Sequence, residues 1–457
     1  MVSRFDSKEF AGKRKILMSE RVLLVKIDKT AGGSQRLSFS EPIGICYVSS
    51  YLQKQGIECR LLHLIKETAR DELFSTVREY NPTVIGFSVR NFNFNATCAC
   101  ISDIRVEYPD VVIYLGGECV TWQNATELAA KANVDLAVVS DGEESTYAFL
   151  SGRSPDEIPG IAYRTPKGLY TYSPVPPKRM DPSTLPMMDR EELPMHAYSA
   201  EAFPGSKYGT MHTQRGCRYK CTFCHTAGRY NNGCACQPTS RTYAQILGEI
   251  DYLTVHFQIE ALAIWDEDFF ADTNRVLRLA SGLIDRGSPV QWHTYMKLTD
   301  LKSRELRKIL PILKESGYVR AVIGLESFIP QTLRHYHKAG GPNIEESLKY
   351  LSDQGISVCP SYIIGEPDET ESDIEYGLNH LLRLRDRGIQ MDLPYVSFIT
   401  PFPGTPLCDE YSHKGLLIDE NWDHYDGENV IVKSLCPTDR LVELRDEFYR
   451  SFYGDRQ

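Results

Sequence analysis

Three cysteines, Cys217, Cys221 and Cys224, stand within eight residues in the run Arg215-Gly216-Cys217-Arg218-Tyr219-Lys220-Cys221-Thr222-Phe223-Cys224. Thiolates spaced Cys-x3-Cys-x2-Cys on one loop can all point at one centre. Sulfur donors suit soft metal centres, either zinc or an iron–sulfur cluster. A structural zinc site wants a fourth ligand and usually paired Cys-x2-Cys arms. His225 could supply that ligand, so the spacing alone leaves zinc open. Cys234 and Cys236 follow closely. A Cys-x-Cys pair can bind a metal or form a redox couple, and free loop cysteines are the simpler alternative. The 13 cysteines of the chain are odd in number and spread over 457 residues. That pattern predicts free or metal-bound thiols in a reducing compartment rather than a disulfide framework.

The elements that must position this loop are legible on either side of it. After it, apolar strand-like runs alternate with helical stretches. Strands are predicted at 262–265, 291–296, 319–324, 358–364 and 395–399, with helices near 243–256, 273–286, 303–316, 345–354 and 371–387. With a strand before Cys217 this makes six. Right-handed connections curl such a chain into a barrel or partial barrel, whose chemistry is built at the carboxyl ends of the strands. Those ends carry Asp266-Glu267-Asp268, Glu326-Ser327 and the stretch from Ser361 through Ile363 and Gly365 to Asp368. Tyr295 and Tyr362, on strands, are candidate interior hydrogen-bond or proton donors; core packing is the alternative for each.

Before the loop, strands at 22–27, 59–64, 84–89, 111–115 and 136–139 alternate with helices. The first of these helices opens at Pro42 and closes near Gly56. This is the pattern of a parallel sheet covered on both faces, which binds ligands beyond the carboxyl ends of its strands. Asp28, Thr30, Gly33, Ser88, Asn91, Gly116, Gly117, Glu118, Gly142 and Glu143 fall there. Glycines let a bulky ligand approach the backbone, and Asn and Ser offer neutral hydrogen bonds; tight turns are the alternative for any one loop. Between the halves lies a proline-rich connector with a small hairpin at 160–168.

Both halves carry a family resemblance. The three-cysteine spacing, with aromatic Phe223 before the third cysteine, resembles radical S-adenosylmethionine (SAM) enzymes. The first half resembles the cobalamin-binding domain that precedes the barrel in the cobalamin-dependent radical SAM family. The matching pieces are Glu41-Pro42-Ile43-Gly44, Asn81-Pro82-Thr83-Val84-Ile85-Gly86, Leu115-Gly116-Gly117-Glu118 and Asp141-Gly142-Glu143-Glu144. The resemblance implies an α/β fold: a doubly wound parallel-sheet (Rossmann-like) cobalamin-binding domain over 21–155, then a linker over 156–208. A partial (β/α)6 radical SAM barrel over 209–405 would follow, with a tail at 1–20 and a short region at 406–457.

The same resemblance implies that Cys217, Cys221 and Cys224 hold a [4Fe–4S] cluster. Phe223, Asp266, Glu267, Asp268, Glu326, Ser327, Ile363 and Gly365 would contact SAM, and the ten strand-end residues of the first half would contact cobalamin. Many cobalamin domains place Asp-x-His-x-x-Gly after the first strand, and its His ligates cobalt. Here the stretch is Asp28-x-Thr30-x-x-Gly33, and a hydroxyl is a poor substitute for imidazole. His63 is the other nearby candidate; a core or surface histidine is its simpler reading. The implied activity is methyl transfer to an unactivated carbon, using a 5′-deoxyadenosyl radical and methylcobalamin. A radical rearrangement or cyclisation without methyl donation, and a non-catalytic cobalamin-binding or metal-sensing protein, are the alternatives. A low-potential electron donor such as flavodoxin or ferredoxin, and oxygen sensitivity, follow from the same resemblance.

Composition bounds the partners. The net charge of −10 argues against a broad nucleic-acid surface and for a small-molecule or peptide substrate. No stretch approaches the ~20 apolar residues of a membrane span, and residues 1–20 lack an apolar signal core. The expectation is a cytoplasmic protein.

Overall fold

The computed structural model describes residues 20–28, 41–65, 68–226, 237–338 and 343–454. Its first sheet has the order β2-β1-β3-β4-β5-β6-β7. The strands β1 (Arg21–Asp28), β2 (Glu58–Ile65), β3 (Val84–Ser88), β4 (Val112–Gly116) and β5 (Leu136–Val138) all run parallel. β1 pairs Val22 with Cys59 on one side and Val84 on the other, so the chain reverses direction of growth at β1/β3. Arg21-Val-Leu-Leu-Val-Lys-Ile-Asp28 is buried at every interior position, as a strand covered on both faces must be. Its covers are α1 (Ile43–Lys54), α2 (Ala69–Tyr80), α3 (Phe94–Glu107), α4 (Ala125–Lys131) and α5 (Glu143–Leu150). The hairpin expected in the connector, β6 (Ile161–Arg164) and β7 (Tyr170–Tyr172), adds antiparallel to β5. It covers an edge that would otherwise present unpaired backbone groups.

The second sheet has the order β15-β14-β13-β12-β11-β8, every strand parallel to its neighbour. Its strands are β8 (Tyr208–Met211), β11 (Ala261–Ile264), β12 (Gln291–Met296), β13 (Tyr318–Glu326), β14 (Ser357–Ile364) and β15 (Tyr395–Phe398). Sequential neighbours without a strand to close the ends make a curled half-barrel. A short antiparallel pair, β9 (Gln214–Arg215) and β10 (Thr239–Ser240), brackets the cysteine loop. Helices α6 (Tyr243–His256), α7 (Thr273–Ile284), α8 (Arg304–Glu315), α9 (Pro330–His335), α10 (Ile344–Asp353) and α11 (Glu371–Asp386) follow their strands. Thr242 and Gln245 form a capping box on α6, and Asp272 caps α7 through the N–H groups of Asn274 and Arg275.

Alternate strand residues sort cleanly. Leu262, Ile264, Trp292, Ile323, Val358 and Ile364 join the core under the helices. On the concave side Tyr208, Ala261 and Ala263 pack with Ala200 and Phe203 of the connector, and Arg320 donates to the Ala202 carbonyl at 2.9 Å. The connector thereby closes the amino-terminal end of the half-barrel.

The two halves are bolted together by polar groups. Arg190, fully buried, donates to Glu41 (3.2 Å), Glu249 (2.7 Å) and the Thr210 carbonyl (2.9 Å). Arg241 also reaches Glu249, and donates to the Tyr47 hydroxyl at 3.2 Å. The last residues form α12 (Pro406–His413) and α13 (Thr438–Tyr453). Between these helices Trp422 packs at a tilt against Phe94 of the first half, 5.1 Å between ring centres.

Candidate cofactor sites at facing strand ends

The cysteine loop is held by the acids that follow β11. Asp266 accepts from the backbone N–H of Thr213 (2.7 Å) and Gln214 (3.1 Å), from Arg275 (3.1 Å) and from the Thr213 hydroxyl. Glu267 accepts from the N–H of Gly216 at 3.2 Å. Asp268 accepts from the N–H of Arg218 (3.2 Å), its Nε (2.7 Å) and Lys297 Nζ (2.9 Å). Burial would raise the Asp266 and Asp268 carboxyls. Their donors outweigh it, with His212 and Arg275 acting on Asp266 and Arg218 and Lys297 on Asp268, so both stay low. Asp266 and Asp268 were expected to face SAM. The structure commits both buried carboxylates to protein donors, and Glu267 is half-buried.

The far side of the loop rests on the end of α9 and the start of α12. Thr222 donates its N–H to the Tyr336 carbonyl (3.3 Å) and its hydroxyl to that of His335 (3.1 Å), and accepts from the Leu407 N–H (3.1 Å). The three cysteines are half-buried. Burial pushes the Cys217 thiol up to about 11 and the Cys221 thiol up to about 12, with Lys297 beside the first and Lys338 beside the second pulling the other way. Three soft donors with two flanking cations fit a centre that takes thiolates and displaces their protons. Among the described residues no three His, Cys, Asp or Glu side chains could hold a single metal ion. Cys234 and Cys236 lie outside the described residues.

Glu326 takes a left-handed backbone, φ 63°, at a register shift between β13 and β14. Such strain in a non-glycine residue concentrates at functional positions. Its carboxylate folds over Gly324 on the concave side and accepts from Lys338 Nζ (2.6 Å) and the Ser361 hydroxyl (3.3 Å). Ile363 and Phe223 share an apolar patch with Tyr336 and Ile399 beside the loop. The Gly365 N–H is received by the Glu369 carboxylate at 2.9 Å. Two expected residues point elsewhere. Ser327 is buried and its hydroxyl accepts from the Ile329 N–H at 3.0 Å, a turn cap into α9. Tyr362 belongs to the helix-covered face of β14: its hydroxyl is buried against Gly377 of α11. It is a core residue and does not reach the barrel mouth.

Tyr295 does reach the mouth. It is 45 % exposed, with its ring centre 5.1 Å from that of Trp265. The protein around it, then the carboxylate of Glu118, raises its phenol, although nearly half of the residue still meets solvent. Glu118 and Arg90, paired at 3.1 Å, belong to the first half. The two halves meet at their strand ends, where Arg215, at the stem of the cysteine loop, bonds Glu143 of the first half at 2.6 Å.

In the first half a cleft opens near the β1/β3 switch point, lined by Gly44, Ser88, Gly117, Ser140, Gly142 and Thr146 among others. Gly117 has φ 113°, and a Cβ there would lie 2.5 Å from the Val89 carbonyl oxygen. A Cβ on Gly86, in the same wall, would overlap the Tyr114 ring. Those two glycines let protein groups pack closely, whereas Gly44 and Gly116 leave bare backbone, with nothing closer than 3.9 Å to a Cβ built on either; open backbone at a switch point is where such sheets take a nucleotide-like ligand. Of the expected cobalamin contacts, Ser88, Gly116, Gly117, Gly142 and Glu143 line this cleft. Asn91, 2 % exposed, keeps an amide nitrogen without a hydrogen-bond partner among the described residues.

Asp28 does not line the cleft. It pairs with His63 Nε2 (2.9 Å) and Lys26 (3.4 Å). Burial raises its carboxyl; Lys26, His63 and Arg90 outweigh that and hold it far below the usual range. His63 also meets the Tyr198 hydroxyl at 3.1 Å, so both ring nitrogens are engaged, as in a core histidine. Thr30 and Gly33 lie outside the described residues. Sequence reasoning missed Arg215, Lys297, Lys338 and Glu369. Lys297 follows β12 directly, and that position at a strand's carboxyl end was the available signal.

Comparison with known proteins agrees with this division. Residues 32–150 match the B12 binding domain and residues 211–381 match the Radical SAM superfamily. The chain thus belongs to the cobalamin-dependent radical SAM enzymes, in which the first domain precedes the second. An uncharacterized methyltransferase of Pyrococcus horikoshii is 22% identical over 90% of this chain and 87% of its own. The cytidylyl-2-hydroxyethylphosphonate methyltransferase of Streptomyces wedmorensis is 22% identical over 99% and 93%. Among solved structures, the cobalamin-dependent SAM radical enzyme OxsB, with aqua-cobalamin and SAM bound, superimposes with a TM-score of 0.75 at 17% identity, over 96% of this chain and 68% of its own. The radical SAM methyltransferase TsrM of Kitasatospora setae, with cobalamin and [4Fe–4S] cluster bound, gives 0.68 at 16%, over 94% and 89%. Among the described residues no helix is long and apolar enough to cross a membrane.

Proposed function

We propose that the protein transfers a methyl group to an unactivated carbon of a small molecule or peptide. The observation that supports this reading is the direct contact of the two candidate cofactor sites: Arg215, two residues before Cys217, lines the cleft of the cobalamin-binding domain and bonds Glu143 there at 2.6 Å. A substrate between these sites would touch both at once. When bound, the cluster with SAM supplies a hydrogen-abstracting 5′-deoxyadenosyl radical, and methylcobalamin supplies the methyl group.

The chain's own residues orient and enclose. Cys217, Cys221 and Cys224 would hold the cluster, and Lys297 and Lys338 offset the charge of their thiolates. Glu326 and Glu267 offer carboxylates to the ammonium end of SAM, and Phe223 and Ile363 an apolar wall to its adenine. Ser88, Gly116, Gly117 and Gly142 line the cleft for the nucleotide end of cobalamin. Tyr295 borders the substrate and keeps its proton across the physiological range.

The test uses anaerobically reconstituted protein, dithionite or reduced flavodoxin as electron donor, and SAM labelled in its methyl group. Label in the product of an accepted substrate supports methyl transfer. A rearranged product without label indicates the cyclisation reading instead. Cys221→Ala is expected to lose the visible absorbance of the cluster and at least 100-fold of SAM cleavage, roughly the scale of removing a unit of the catalytic machinery. Full SAM cleavage by Cys221→Ala would sink the radical mechanism.

A further inference from the structure

Arg215 ends β9, two residues before Cys217, yet its guanidinium leaves its own domain. Nη2 lies 2.6 Å from Glu143 Oε1, and Nη1 lies 3.3 Å from both Glu143 Oε2 and Asp141 Oδ1. The Tyr47 ring packs against it, 5.1 Å from ring centre to guanidinium carbon. All four side chains are buried. Asp141 is fixed in turn by the Met180 N–H at 2.8 Å. Arg215 also lines the cleft of the first domain, together with Asp141 and Glu143. One side chain is therefore at once part of the cleft wall and the stem of the cysteine loop. A charge pair removed from water resists separation, because parting it leaves uncompensated buried charge. The 140–143 segment and the loop stem cannot move independently.

We infer that Arg215 couples the two cofactor sites, so that a ligand in the cleft of the first domain stiffens the Cys217–Cys224 loop through the ion pairs with Asp141 and Glu143. This rests on the proposed function in one respect, that the cleft takes cobalamin. Arg215 is here a positioning residue, and the coupling is reciprocal: whatever the cleft ligand does for the cluster, the cluster does for the ligand by the same factor.

The reciprocal effect is the measurable one. Hydroxocobalamin is titrated, by its absorbance, into the full chain with its cluster reconstituted and into the same chain freed of iron. The wild-type chain is expected to bind at least about fivefold more tightly with the cluster in place, the lower end of ordinary site-to-site coupling. Arg215→Met should bring that ratio to one, and Arg215→Lys should leave an intermediate ratio. If Arg215→Met fails to fold or to load iron, Asp141→Asn combined with Glu143→Gln carries the test from the other side of the ion pairs. A wild-type ratio of one overturns the coupling alone, as does a wild-type ratio retained in the variants. If the wild-type chain binds no cobalamin in either form, this inference and the proposed function fall together.

Discussion

At the scale of single residues, the barrel side of the cysteine loop is ruled by buried acids that behave differently. Glu366 is tied by the hydroxyls of Tyr336 (2.6 Å) and Tyr411 (2.5 Å). Glu369 instead receives the N–H groups of Gly365 (2.9 Å) and Glu366 (3.2 Å), and burial followed by the charge of Glu366 pushes its carboxyl from 4.5 up to about 8. The folded chain then keeps a proton that the unfolded chain releases above about 4.5. Glu369 therefore contributes stability that is complete below that pH and is lost as pH rises through about 8. His335, raised from 6.5 to about 9, first by its bond to Glu366, acts in the same direction at higher pH. Asp266 and Asp268 are shifted down and lose their contribution only on the acid side. Buried His293, lowered from 6.5 to about 3, acts oppositely and adds stability as pH rises towards 6.5, so the comparison with a variant isolates Glu369: the melting temperature of Glu369→Gln should rise relative to wild type as pH goes from 4.5 to 8. Parallel curves for variant and wild type would refute the assignment. The sequence carries no sign of this, because Glu366, Asp368 and Glu369 stand together and only the folded turn decides which acids are buried.

At the scale of elements, the cleft depends on backbone that no side chain may cover. Gly117→Ala must place a methyl group against the Val89 carbonyl at a left-handed φ. It is expected to cost about 1–3 kcal/mol and to weaken cobalamin binding in the same absorbance titration. Gly248→Ala is the matched control: it sits on the exposed face of α6 with nothing near a new Cβ, and should gain about 0.5–1 kcal/mol. Equal effects in thermal melts would remove the special status of Gly117. Elements were the most legible level of this chain. Strand–helix alternation is a local signal, and it located both sheets and the strand ends that carry the sites. Which face a strand residue takes was also written there. Tyr362 alternates with Val358, Pro360 and Ile364 and goes with them to the helices, whereas Tyr295 shares its parity with His293. Pairings such as Arg215 with Glu143, 72 residues apart, leave no local trace, since they arise only when two finished domains meet.

At the scale of the whole molecule, Arg190 is the bolt. It sits in the connector and neutralises Glu41 of the first domain and Glu249 of the second, all fully buried at the side chain. Arg190→Met leaves Glu41 without its cation in an apolar setting, where burial already raises its carboxyl. Loss of one partner from such a network costs about 3–5 kcal/mol. The expected result is a lower urea midpoint and faster tryptic cleavage within the connector, with the two domains released as fragments. A midpoint within error of wild type would show that the apolar contacts alone hold the halves together.

The connector's other end, at Ala200 to Phe203, has a consequence for traffic. Ala200 and Phe203 pack on β8 and β11, and the Ala202 carbonyl is tied to Arg320 of β13, so this end of the half-barrel is plugged. What enters must come from the carboxyl-end side or through the flank between β15 and β8, which no strand among the described residues closes. A long chain would be presented sideways rather than threaded from end to end.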